Sequence, residues 1–348
     1  MTKNTQLPSL IKTVAELDDV LSRPSDAVIE SVEKLDGDIM LLGAGGKMGP
    51  SLTELAHRAV TAAGIKKKIV AVSRFSNQIE RERLEAIGVE IISCNLLAAD
   101  ELQKLPEIEN VVYMAGMKFG TTGKAAETWA MNAFLPGMVA QKFKASRIVL
   151  FSTGNVYPLT PVKLGGCSEN DPVNPTGEYA QSALGRERIF EYFCRELKIP
   201  GAIIRLNYAI DLRYGILLDL AQKVFSRQPI DLTMGHVNVI WQGDANAAVL
   251  RAFKIAETPP AILNVTGPET ASIRQLAKKF GEIMQVEPMF ANTEAESALL
   301  SNASHCHQLF GYPAVTLQQM IAWVAYWVKI GGPTLAKPTH YETRDGKF

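Results

Sequence analysis

The 348-residue sequence carries no excess charge of either sign, with 36 Lys plus Arg against 36 Asp plus Glu. A surface built to neutralise phosphates shifts that balance, so nucleic acid is not expected as the main partner. It lacks any apolar run of about eighteen residues, so no membrane span is expected. Its opening lacks a signal-peptide pattern, because Glu16, Asp18 and Asp19 break up the apolar residues; a cytoplasmic protein is expected. Cysteine is scarce. Cys94, Cys167, Cys194 and Cys306 show no C-x-x-C spacing, which excludes a disulfide framework and fits free thiols in a reducing compartment. His305-Cys306-His307 are consecutive, and neighbours in a helix point in different directions, so no metal is expected.

What is present is an alternation. Short apolar runs at 39–42, 69–72, 89–92, 111–114, 148–151 and 202–206 are separated by helical stretches at 49–63, 77–87, 125–144 and 178–197. Continuous apolar strands alternating with helices predict a parallel sheet covered on both faces, an α/β doubly wound fold. The length suggests about two domains. Residues 1–36 form a helical extension whose apolar face (Val14, Leu17, Val20, Leu21) is expected to pack on the body. Residues 37–207, with parts of 236–265, form the sheet domain. Residues 208–235 and 266–330 form a smaller interleaved α/β domain. The polar tail 331–348 is expected to be partly disordered.

The first strand runs into Gly43-Ala44-Gly45-Gly46-Lys47-Met48-Gly49, with glycines spaced G-x-x-G-x-x-G before a helix. Such a loop turns tightly, lets backbone N–H groups approach a pyrophosphate, and packs the helix close to its strand. Dinucleotide binding is the expectation. After the second strand an acidic residue would bind the ribose 2′-hydroxyl of NAD. Ser73 and Arg74 stand there instead and suit a 2′-phosphate. Lys47 adds charge to the loop. NADP is the expected cofactor, with NAD as the other candidate.

With this loop, the chain resembles the extended short-chain dehydrogenase/reductase superfamily, the NAD(P)-dependent epimerase/dehydratase family, over roughly residues 37–330. Asn95-Leu96 resembles the pair at the adenine edge, with Asn in place of Asp. Met114-Ala115-Gly116-Met117-Lys118 is similar to the segment beside the nicotinamide. Asn132 fits the Asn of the following helix. Phe151-Ser152-Thr153-Gly154-Asn155-Val156-Tyr157 resembles the strand end that carries the catalytic hydroxyl, hence Thr153. Asn207, Arg213 and the Val239–Asp244 stretch resemble substrate-domain landmarks. The resemblance implies a Rossmann-type fold, a catalytic Tyr179, and a homodimer formed by helices 125–144 and 178–197. It implies cofactor contacts from Gly43, Gly45, Gly46, Lys47, Met48, Gly49, Ser73, Arg74, Asn95, Leu96, Ala115, Gly116, Asn132, Tyr179 and Asn207. Lys118, Asn155, Asn207, Arg213, His236 and Trp241 are candidates on the substrate side.

One position departs from the family pattern. Tyr-x-x-x-Lys reads Tyr179-Ala180-Gln181-Ser182-Ala183. The family Lys holds the nicotinamide ribose and lowers the Tyr pKa. A free phenol ionises near ~10. A cation about 4 Å away is worth roughly 4 kcal/mol at an effective dielectric of 20, enough to lower that value by about 3. Two replacements are visible. Arg186, seven residues on, shares the helix face of Ala183 and leans back toward the N-terminus. Lys118 arrives from the loop after the fourth strand. The resemblance thus implies an oxidoreductase or epimerase acting on a sugar, sugar acid or activated sugar. The missing Lys motivates the alternative, a non-catalytic NAD(P)-binding regulator or sensor.

Overall fold

The computed structural model describes residues 7–118, 123–337 and 339–346. Seven strands form one sheet: β1 (Ile39–Leu42), β2 (Ile69–Ser73), β3 (Glu90–Ser93), β4 (Asn110–Tyr113), β5 (Arg147–Thr153), β6 (Gly201–Leu206) and β7 (Ala261–Val265). Their order is β7-β6-β5-β4-β1-β2-β3, and every neighbouring pair is parallel. Every residue of β1 and β4 is buried. Helices cover both faces, as a parallel sheet of such strands requires. The chain order reverses between β1 and β4, so a crevice opens beyond their carboxyl ends. This is the Rossmann-type doubly wound fold that the alternation predicts.

Three helices lie near where the sequence places them: Gly49–Ala63, Gln78–Ala86 and Gly177–Leu197. The stretch 125–144 differs. It is not one regular helix but an α-turn (Ala125–Trp129), a π-helical turn (Ala130–Phe134) and a second α-segment (Leu135–Lys142). Pro136 supplies the physical reason. It has no N–H to give the carbonyl of Asn132 four residues earlier, and Leu135 instead donates five residues back to Ala130. π-turns of this kind often sit at functional sites.

A second core gathers the helices Ile216–Phe225, Ile273–Met284 and Leu317–Lys329 around Trp241, Trp323 and Trp327. The N-terminal extension links the two cores. Helix α1 (Val14–Ser22) buries Leu17, Val20 and Leu21 in the second core. Helix α2 (Asp26–Glu33) buries Val28 and Val32 against the sheet domain. The tail is not loose over its described residues. Tyr341 is buried, Arg344 donates to Ser297 O at 2.7 Å, and Thr339 N donates to Asp219 at 2.8 Å. Its composition is polar, yet one aromatic ring and two polar anchors fix it. No helix among the described residues is long and apolar enough to cross a membrane.

Candidate active site

The crevice is built from the strand ends. Gly43 has φ +94°, a conformation that suits glycine, and a Cβ there would meet Ala115 N at 2.7 Å. A Cβ on Gly49 would collide with the carbonyl of Ala44, so the helix can begin this close to β1 only with glycine. Gly45 and Gly46 are exposed. The loop therefore presents bare backbone at a helix start, a cradle that fits a dinucleotide pyrophosphate. Lys47 behaves differently from its neighbours. Its side chain leaves the loop and reaches across the crevice. Nζ donates to Ala209 O at 3.0 Å and lies 3.9 Å from the centre of the Tyr214 ring.

The edge of the crevice that the sequence reading assigns to the adenine lies at β2 and β3. Ser73 pairs in register with Ser93, and Cys94 N donates to Ser73 O. Arg74 is exposed, Asn95 is exposed with Oδ1 accepting from Leu97 N at 3.3 Å, and Leu96 is buried. These residues stand side by side at one edge of the crevice.

At the other end, Asn132 uses all of its side chain. Nδ2 donates to Met117 O at 2.8 Å and to Ser182 Oγ at 2.9 Å. Oδ1 accepts from Met117 N at 2.8 Å and from Arg186 Nη2 at 2.6 Å. Arg186 is only 7% exposed. Its Nη1 donates to Phe151 O at 2.8 Å and its Nε to Asn132 O at 3.3 Å. A Cβ on Gly116 would collide with the guanidinium, so that glycine lets Arg186 lie directly beneath the loop after β4. Ala183, where the family pattern has Lys, is buried against Val156, Tyr157 and Cys167.

Tyr179 is partly buried and hydrogen-bonded to the Thr153 hydroxyl. Burial raises the phenol pKa; the Arg186 charge and the Thr153 hydrogen bond oppose that rise. Lys118 Nζ sits 5.9 Å from the centre of the Tyr179 ring, and burial lowers its pKa to about 8. A buried network anchors the Tyr179 helix to the sheet. Ser152 donates to Glu187, and Arg205 pairs with Glu187 at 2.8 Å and donates to Tyr157 Oη at 2.7 Å.

One cavity joins these groups. The glycine loop, Lys47, Lys118, Thr153, Tyr179, Arg186, Asn155 and Asn207 all line it. Asn207 is buried, and its Nδ2 has no hydrogen-bond partner among the described residues. Three predicted substrate residues are not brought there. Trp241 is packed edge-on against Trp323 in the second core. Arg213 pairs with Asp211 at 3.1 Å and with Asp18 at 3.0 Å. His236 belongs to a short strand paired with Ser272. In their place the cavity has Tyr208, Tyr214 and Thr339, which sequence reasoning missed. Tyr208 and Tyr214 flank candidates already in view. Thr339 gives no local signal, because it arrives from the far end of the chain.

A parallel sheet, a glycine-loop cradle and Thr153 and Tyr179 lining one cleft are the features that the sequence resemblance implies. Residues 39–209 match the model of the NAD dependent epimerase/dehydratase family. No curated protein matches the sequence. Among solved structures, a UDP-glucuronic acid 4-epimerase from Bacillus cereus, in complex with UDP-glucuronic acid and NAD, is similar at TM-score 0.68 and 17% identity. The match covers 84% of this chain and 99% of that one. UDP-glucose 4-epimerase from Thermotoga maritima, with UDP-glucose, is similar at TM-score 0.68 and 14% identity, again over 84% and 99%. Pal from Bacillus thuringiensis is similar at TM-score 0.68 and 17% identity over the same shares. At these identities the likeness shows the fold.

Proposed function

We propose that the protein is an NAD(P)-dependent oxidoreductase or epimerase acting on a sugar, sugar acid or activated sugar. One observation carries the reading: the Tyr179 phenol is bonded to Thr153, close enough to Arg186 to feel its charge, at the mouth of a dinucleotide cradle. The bound nicotinamide cofactor supplies or accepts the hydride. The chain's own residues handle the proton. Thr153 orients the reacting hydroxyl, and Tyr179 Oη takes its proton or returns it. Arg186 stabilises the phenolate in place of the family Lys. It reaches the site from the next helical turn, and Ala183 leaves the vacated position to the core. Lys118 adds a second cation beside the ring.

Gly43, Gly45, Gly46, Met48 and Gly49 hold the pyrophosphate; Ala115, Gly116 and Asn132 shape the nicotinamide end. Ser73 and Arg74 at the end of β2 favour NADP, because a guanidinium pairs well with a 2′-phosphate. Asn155 and Asn207 face the substrate. Trp129, Phe134, Ile189 and Tyr192 are exposed apolar residues on the helical segments 125–142 and 177–197, and this supports a homodimer through those helices. The four free, buried cysteines fit a reducing cytoplasm.

The test is a panel of sugars, sugar acids and nucleotide sugars with NADP or NAD, read by absorbance at 340 nm for net oxidation or reduction and by chromatography of the sugar for epimerisation. Turnover that is lost in Tyr179→Phe supports the proposal. Cofactor binding without turnover of any substrate supports the non-catalytic reading that Ala183 motivates.

A further inference from the structure

Four observations about the cleft point the same way. First, it is cationic: Lys47, Lys118 and Arg186 line it, and no Asp or Glu does so among the described residues. Second, Lys47 makes no ion pair with a carboxylate among the described residues. Asp211, the acid with the largest effect on Lys47, is held by Arg213. The Lys47 ammonium has three donors, and the structure gives one of them a protein acceptor, the carbonyl of Ala209. Third, Asn207 Nδ2 is buried and unbonded on the same wall. A buried amide donor without an acceptor is costly unless a ligand oxygen meets it.

The fourth observation is size. The cavity holds about 250 Å³. Sites for drug-sized ligands hold roughly 300–1,000 Å³, and the glycine-loop end of this one belongs to the cofactor. The tail contributes one residue to its wall. Thr339 lines the cavity and is bonded to Asp219. Arg344 is bonded to Ser297, and Gly346 packs on Thr176 and Gly177 at the start of the Tyr179 helix. The tail thus runs from the smaller domain to the Tyr179 helix, beside Asn155 and Tyr208.

We infer that the substrate is a free monosaccharide bearing one anionic group, received by Lys47 and Asn207, and not a nucleotide-linked sugar. This rests on the proposed reading of the cleft as the reacting site. A carboxylate and a phosphate ester share the required chemistry. A hexuronate and a hexose 6-phosphate are the two probes that separate them.

The experiment is isothermal calorimetry on the full chain with saturating NADPH, against hexuronate, hexose 6-phosphate, neutral hexose and UDP-hexuronate. The expected result is binding of one anionic monosaccharide and little heat from the neutral or UDP-linked sugar. In Lys47→Met that binding should weaken roughly tenfold or more, the worth of a charge-assisted hydrogen bond, with NADPH affinity unchanged. Equal or tighter binding of UDP-hexuronate or neutral hexose overturns the inference and leaves the hydride-transfer reading standing. A Lys47→Met variant that loses NADPH affinity instead also overturns it, since the ammonium would then serve the cofactor phosphates. If NADPH itself does not bind the wild type, the proposed function fails and takes the inference with it.

Discussion

Arg186 Nε donates to the carbonyl of Asn132 at 3.3 Å, the same carbonyl that Pro136 has no N–H to bond. A proline in one helix and an arginine in another thus complete each other. The π-turn exposes a carbonyl, and the guanidinium, with Asn132 Oδ1 and Phe151 O, is held in one orientation beneath Gly116. Through Arg186 this arrangement keeps a positive charge near Tyr179 where the family Lys is absent.

Arg186→Met tests that role. The variant removes the charge and takes the guanidinium donor from Phe151 O and Asn132 O, while Asn132 Oδ1 keeps Met117 N, so stability should fall by about 1–3 kcal/mol. Burial then raises the Tyr179 pKa with less opposition, because the Arg186 contribution lowers it. A reaction that needs the phenolate should have its pH–rate profile displaced to higher pH. A purely structural role would lower Tm and leave the profile in place.

Tyr179→Phe should reduce kcat by roughly 10²–10⁴, the range for a lost general acid–base. Cofactor affinity should hold, since the ring remains. Stopped-flow turnover and a cofactor titration on the same preparation separate the two effects.

The Lys47 ammonium gives binding of an acid a definite pH dependence. Burial lowers its pKa to about 7, with Asp211 and Asp219 opposing and Lys118 and Arg213 assisting; Tyr214 lies against it as a neutral ring. A bound anion favours the ammonium and raises that pKa. Affinity should therefore be full below about pH 7 and fall as pH rises above it. Lys118, lowered to about 8, titrates next, so the decline should steepen there. In Lys47→Met the first part of the decline should vanish.

Arg74→Ala should weaken NADPH binding and leave NADH binding unchanged, because the side chain is exposed and makes no contact that the fold needs. A guanidinium–phosphate pair accounts for roughly 1.5–3 kcal/mol, or tenfold and more in Kd.

Phe134 is 64% exposed. The proposed homodimer predicts a dimer in light scattering for the wild type and a monomer for Phe134→Glu, with little change in Tm.

The sheet was legible because each strand is a short apolar run closed by turn residues, as at Ile39–Leu42 before Gly43. The glycine loop and Tyr179 were legible because their spacing is local. The π-turn was not, since helical periodicity runs unbroken through Ala130–Phe134 and only Pro136 hints at the break. Trp241 and His236 sit near the site in sequence, but their side chains turn to the second core and to a strand pair. Lys47 reads as a loop charge aimed at phosphate; that it crosses to Ala209 depends on a strand more than 150 residues away. Thr339 depends on how the tail folds back, which its polar composition hides.

A fluorescence titration of the purified protein with NADPH and NADH decides whether the cleft receives a nicotinamide cofactor. Binding should be saturable and tighter for NADPH, with Gly116→Ala weakening both because its Cβ would displace Arg186. Binding of neither nucleotide would contradict the proposed function.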